Sequence, residues 1–139
     1  MQTVRDIMTA NPVCCISDTT LQEVARMMVE NDCGEIPVID SERTRKPIGV
    51  VTDRDIVCRM VAQGKDTRAL SAKDCMTFPC LTIAVDKSLD ECVQLLESTL
   101  IRRVPVVDAS GTCCGIVAQA DIARVARHKA GELVQQLSA

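Results

Sequence analysis

The chain is written twice. Asp6-Ile7-Met8-Thr9 returns as Asp74-Cys75-Met76-Thr77, and Thr20-Leu21-Gln22-Glu23 returns as Ser88-Leu89-Asp90-Glu91, both at a displacement of 68 residues. Ile36-Pro37-Val38-Ile39-Asp40 falls on Val104-Pro105-Val106-Val107-Asp108 at the same displacement. After a turn shorter by two residues, the stretch from Gly49 to Ile56 (GVVTDRDI) aligns with that from Gly115 to Ile122 (GIVAQADI). Four motifs held in one order at nearly one spacing define a duplicated unit, so the fold must be built twice.

The elements of each unit follow from pattern. In the first copy, Val4 to Thr9 is a short lead-in, Asn11-Pro12 breaks the chain, and Val13 to Ile16 reads as a strand. Thr20 to Glu23 is a capping box, and Leu21, Val24, Ala25, Met28 and Val29 follow at helical spacing, predicting an amphipathic helix that ends between Asn31 and Gly34. Ile36 to Asp40 makes a second strand, a polar turn rich in Arg and Lys follows, and Gly49 begins a third strand. Ile56, Val57, Met60 and Val61 mark the apolar face of a second helix that stops before Gly64. A β-α-β-β-α unit of about 60 residues buries its sheet poorly alone. The expected fold is therefore α/β (α+β), with two units packed about a pseudo-two-fold axis, sheets inward and helices outside. Residues 1–64 and 72–128 are the repeats and 65–71 the linker; 129–139 form a helical tail with Leu133, Val134 and Leu137 on one face.

Composition narrows the function. Apolar residues make up 47% of the 139, yet Phe78 is the one aromatic, so the core is aliphatic. A net charge of −3 supplies no basic field for a phosphate backbone, and base-stacking platforms are missing. Nucleic acid is not an expected ligand. The nine cysteines include no Cys-x-x-Cys, and the adjacent pairs Cys14-Cys15 and Cys113-Cys114 point to opposite faces of a strand. They read as reduced, buried small hydrophobes, with no metal site; His128 has no evident ligand partner in sequence. For Cys80 and Cys113-Cys114, no neighbour in sequence lowers a thiol pKa and no resolving spacing is present, which argues against redox sensing. No apolar leader and no membrane-length run is present, so the expectation is a soluble cytoplasmic protein without membrane contact.

The Gly49 to Ile56 stretch is the chemical centre. A β-branched strand stops on Thr52 and turns at once into a helix carrying Asp55 in its first turn. Such a step presents backbone N–H groups at the positive end of a helix beside a hydroxyl and a carboxylate, a setting suited to a sugar phosphate. A helix cap alone accounts for the same residues.

The duplicated pattern Asp-Ile-Met-Thr, capped helix, Ile/Val-Pro-Val-Ile/Val-Asp and Gly-Val-Val-Thr-Asp-Arg-Asp-Ile resembles the CBS-domain family over residues 4 to about 128. The two copies look like a stand-alone Bateman module. The resemblance implies a regulatory unit that is not an enzyme and requires no cofactor, with two clefts between the repeats, assembled as a homodimer. It implies an adenine nucleotide (AMP, ADP or ATP) as regulatory ligand, with occupancy passed to a separate effector protein. Alternatives are an S-adenosylmethionine or NAD-type sensor, or an interaction module that binds no ligand. Carried over by position, Thr52 and Asp55 would hold the ribose, Arg102 and Arg103 the phosphates, with Arg54 assisting. Thr77, Pro79, Cys80, Val104 and Pro105 would surround the adenine. The second cleft keeps Asp121 but has Ala118 at the hydroxyl position and Gly34-Glu35 where the arginines stand, ahead of Ile36-Pro37. A carboxylate there repels phosphate, so this cleft is expected to be weaker or to suit a ligand without phosphates.

Overall fold

A computed structural model describes residues 2–138, excluding the side chains of 129, 132–134 and 136–138. The first half contains α1 (Val4–Ile7), β1 (Thr9–Ala10), β2 (Cys15–Ile16), α2 (Leu21–Asn31), β3 (Glu35–Ile39) and β4 (Pro47–Thr52). It ends in α3 (Asp53–Asp55), which passes directly into a π-helical stretch (Ile56–Val61). The second half contains α4 (Ala72–Cys75), β5 (Ile83–Ala84), α5 (Leu89–Thr99), β6 (Arg103–Val107), β7 (Cys113–Ala118) and α6 (Gln119–Ser138). In each half a parallel pair (β2 with β3, β5 with β6) adjoins an antiparallel pair (β3 with β4, β6 with β7). Ile36 faces Val51 in one sheet, and Val104 faces Val117 in the other.

The caps explain where the helices begin. Thr20 Oγ1 accepts from Glu23 N–H at 3.2 Å, and Ser88 with Glu91 forms the full reciprocal box. α2 and α5 each end on a left-handed residue, Asp32 and Leu100, at matching positions of the repeat.

The lead-in segments are exchanged between the halves. Thr9 pairs with Ile116 of β7, and Thr77 bridges to Val50 of β4. The N–H groups of Val4 and Arg5 donate to the carbonyls of Lys87 and Val85, while those of Ala72 and Lys73 donate to Thr19 and Ser17. Val4 and Ile7 therefore complete the core of Ile83, Leu96, Val104, Val106 and Val117. Ala72 and Cys75 complete that of Leu21, Val24, Ile36, Val51 and Met60. The glycine opening each strand–helix motif is required by this crossing. A β-carbon on Gly49 would lie 2.9 Å from the Thr77 carbonyl oxygen, and one on Gly115 3.1 Å from that of Thr9.

Several local expectations change. The lead-in is a helical turn, and the first strand shrinks to Cys15–Ile16. Val29, assigned by periodicity to the buried face of α2, is 81% exposed, because Leu21, Val24 and Met28 already fill the contact and the helix then ends at Asp32. Val57 and Val61 are also exposed, whereas Met60 is buried and Ile56 packs against the core. The wider π winding, with Ala62 N–H bonded to Val57 O at 2.9 Å, aligns Ile56 with Met60 and turns the two valines outward. The backbone of α6 is helical to Ser138; the side chains of Leu133, Val134 and Leu137 lie outside the described residues.

Candidate functional site

Each long third strand delivers its last residue and the next helical turn to a cleft between the halves. At the β4–α3 step, Thr52 Oγ1 accepts from Asp55 N–H and Asp55 Oδ2 accepts from Thr52 N–H, both at 3.0 Å. The pair expected to hold a ribose is thus a reciprocal helix cap, which fixes both side chains in place. Asp55 Oδ1 has a looser neighbour, Arg59 Nη2 at 3.8 Å. At the β7–α6 step, Asp121 Oδ2 accepts from Ala118 N–H at 2.8 Å, but Ala118 returns no hydroxyl. Its Oδ1 is taken by Arg124 Nη2 at 2.5 Å.

The larger cleft, about 480 Å³, is lined by Thr52, Arg54, Asp55, Thr77, Arg102 and Arg103, so six of the residues predicted for one site converge there. Val104 and Pro105 are buried in β6 and do not line it, and Pro79 and Cys80 also lie outside its lining. Burial, with Glu35 and Cys113 nearby, pushes the Cys80 thiol up to about 12. Val50, Asp53, Leu100 and Ile101 line the cleft without having been predicted. Leu100 and Ile101 carried a signal: two apolar residues directly before an arginine pair, at the end of a capped helix.

The smaller cleft, about 320 Å³, is lined by Gly34, Glu35, Ala118 and Asp121, while Ile36 and Pro37 are buried in β3 and do not line it. Its further walls are Thr9 to Val13, Asn31, Cys33 and Ile116. The stretch from Thr9 to Val13 occupies the repeat position of Thr77 to Leu81, so the displacement of 68 could have located it.

Glu35 and Arg103 occupy the same position in the two repeats, and each lines both clefts. They form a partition at the pseudo-two-fold axis. This corrects the assignment of Glu35 to the smaller cleft alone and of Arg103 to the larger alone. Arg103 Nη1 donates to the Gly34 carbonyl at 2.9 Å and lies 3.9 Å from Asp53 Oδ1. Glu35 is 5% exposed, and its Oε1 has no hydrogen-bond partner. Burial pushes its carboxyl up to about 7, Arg103 opposing and Asp55 reinforcing the rise. The partition therefore carries an arginine and a carboxyl that titrates near neutrality.

Among the described residues, no group of three or more His, Cys, Asp or Glu is placed to hold a metal ion. Among the same residues, no helix is long and apolar enough to cross a membrane. The CBS-domain profile matches residues 4–62 and 72–128. The chain belongs to the CBS-domain family. It is a tandem CBS pair and is similar to an uncharacterized protein of Methanopyrus kandleri, 36% identical over 121 residues. That match covers 87% of this chain and 58% of that protein, so the chain spans little more than half its length. The CBS domain pair of protein MJ0100, solved in complex with 5′-methylthioadenosine and S-adenosyl-L-methionine, has a TM-score of 0.83 at 28% identity, covering 93% of this chain and 98% of that one. CBSX2 in complex with AMP has a TM-score of 0.80 at 28% identity, covering 92% and 98%.

Proposed function

We propose that this CBS pair is a non-catalytic regulatory module that binds an adenine nucleotide (AMP, ADP or ATP) in the larger cleft. The carrying observation is the convergence there of Thr52 and Asp55 from one half with Arg102 and Arg103 from the other. Asp55 Oδ1, the oxygen not consumed by the cap, accepts the ribose hydroxyls, and the arginines take the phosphates. CBSX2 with AMP and the MJ0100 pair with adenosyl compounds support an adenosine ligand. In the smaller cleft, the orphaned Glu35 oxygen favours an adenosyl compound with a cationic or hydrogen-bond-donating group in place of phosphate.

Residues 1–64 and 72–128, joined by 65–71, act as one sensing unit in a cytoplasmic homodimer. Binding draws groups from both halves together and shifts the population between arrangements. Its reach is limited by the ligand's differential affinity for them. The changed surface is read by a separate protein. Mass spectrometry of small molecules released on denaturing the purified protein, followed by calorimetry, tests the binding step. Adenine-nucleotide binding at one site per chain is expected; a ligand-free protein showing no thermal shift with AMP, ADP, ATP or S-adenosylmethionine would refute it.

A further inference from the structure

The cysteines of this chain are free thiols, and burial raises the pKa of most that shift, as for Cys15, Cys75 and Cys92. Cys14 departs from that rule. Its sulfur accepts from Arg45 Nη2 at 3.4 Å, and the Cys113 thiol, which donates to the Gly115 carbonyl at 3.7 Å, lies near enough to bear on its ionisation. The Cys113 N–H in turn donates to the Arg45 carbonyl at 2.9 Å. One residue therefore braces both cysteines, its guanidinium on one sulfur and its carbonyl on the other's backbone. Arg45 does so from a left-handed backbone, φ 51°, where the matching position of the second half is Gly111, φ 80°. A side chain is disfavoured in that region. The positions matching Cys14 and Cys113 are Thr82 and Pro47, so the second half has no equivalent cluster.

The surroundings favour the Cys14 thiolate. The neighbouring Cys113 thiol and then Arg45 lower its pKa against the opposing effects of burial, Cys15 and Glu42. Arg45 also holds Glu42 at 2.9 Å, which moderates that nearest acid. Cys14 is half-buried and Cys113 buried, so an oxidant reaches Cys14 first. The sequence concealed the arrangement because Arg45 is 31 residues from Cys14 and Cys113 comes from the other half.

We propose that Cys14 is a peroxide-oxidation site resolved by Cys113, forming an intramolecular disulfide between the two halves. The Cys14 thiolate attacks one oxygen of hydrogen peroxide; the S–O bond forms, the O–O bond breaks, and hydroxide leaves and is protonated to water. The Cys113 sulfur, giving up its proton, then attacks the Cys14 sulfenic sulfur. The S–S bond forms, the S–O bond breaks, and the departing hydroxide takes a proton to become a second water. Two thiols and one peroxide thus give a disulfide and two waters, the sulfurs supplying both electrons. The Cys14 thiol otherwise donates to the Pro12 carbonyl at 3.4 Å, and Pro12 and Val13 line the smaller cleft, so oxidation acts directly on that wall.

The test is stepwise hydrogen peroxide treatment of the full chain, followed by thiol alkylation and peptide mass mapping. The expected first product joins Cys14 to Cys113, with loss of two of the nine thiols, reversed by dithiothreitol. Cys113→Ser should stop at a Cys14 sulfenic acid trapped by dimedone. Arg45→Gly, whose backbone suits the left-handed position, should slow Cys14 oxidation severalfold and leave exposed Cys58 unchanged. Oxidation of Cys58 while Cys14 and Cys113 stay reduced, a first disulfide through any other pair, or an unchanged Cys14 rate in Arg45→Gly would overturn the proposal. None of these readouts depends on which ligand the clefts bind.

Discussion

The two clefts share one backbone plan and differ at the positions that meet a ligand. The larger has a hydroxyl at its strand–helix step, an aspartate with one loosely held oxygen, and arginines arriving from across the axis. The smaller has a methyl group at that step and an aspartate whose second oxygen is closed off by Arg124. Gly34 and Glu35 occupy the repeat positions of Arg102 and Arg103, so of the arginine pair only the shared Arg103 reaches the smaller cleft. Duplication thus preserves the helix cap as structure while the remaining acceptor and counter-charges diverge. The cleft retaining a partly available carboxylate oxygen and the basic pair is the one equipped for a phosphorylated ligand.

The sharpest way to break this comparison is to remove its charge difference. Arg102→Met with Arg103→Met deletes two charged hydrogen-bonding groups worth about 1.5–3 kcal/mol each. AMP affinity should fall about 100-fold or more, measured by calorimetry. Two equivalent nucleotide sites per chain in the unaltered protein would contradict the asymmetry before any substitution is made.

Glu35 tests the partition next. Its folded pKa of about 7 lies above the ordinary 4.5, so the unfolded chain ionises first and stability falls as pH rises through that window. The loss is about 3 kcal/mol once Glu35 is fully ionised. Glu35→Gln should be more stable than the parent at pH 8 by about 2–3 kcal/mol and little different at pH 4, followed by urea unfolding. An equal difference at both pH values would show that Glu35 does not titrate between them.

Asp55→Ala should weaken AMP binding by about 1.5–3 kcal/mol, or roughly 10- to 150-fold. Asp121→Ala should leave that site unaffected. Because Asp55 is also a cap, both variants are expected to lose about 1 kcal/mol of stability, which thermal unfolding separates from the binding effect. Equal losses of AMP affinity in the two variants would erase the distinction between the clefts.

Much of the architecture was legible because it was local and repeated. Thr20, Ser88, Gly49 and Gly115 announce helix starts and strand–helix steps through chemistry contained in a few neighbouring residues. The exchange of lead-ins was not legible, since Thr9 and Thr77 have the same sequence setting whether they pair within their own half or across. The outward turn of Val57 and Val61 was hidden because the apolar spacing suits ordinary helical winding, and only packing around Met60 selects the wider turn. At the site, the Thr52–Asp55 step was visible as a strand–helix cap, whereas the assignment of the arginines came from the family resemblance. The shared position of Glu35 and Arg103 was missed because it depends on where the pseudo-two-fold axis passes, which follows from the packing of the two sheets.

The smallest expected effect asks whether the missing hydroxyl alone separates the two caps. Asp121 Oδ2 already accepts from Ala118 N–H at 2.8 Å, half of the box that Thr52 and Asp55 complete. In Ala118→Ser, the new Oγ would accept from Asp121 N–H as Thr52 Oγ1 does from Asp55 N–H. A gain of about 0.5–1 kcal/mol in unfolding free energy is expected from such a cap. AMP should still bind at one site, since Arg124 continues to occupy Asp121 Oδ1 and Glu35 still stands where a phosphate would lie. A second AMP site in this variant would mean that the hydroxyl, and not the charge around the partition, sets the difference between the clefts.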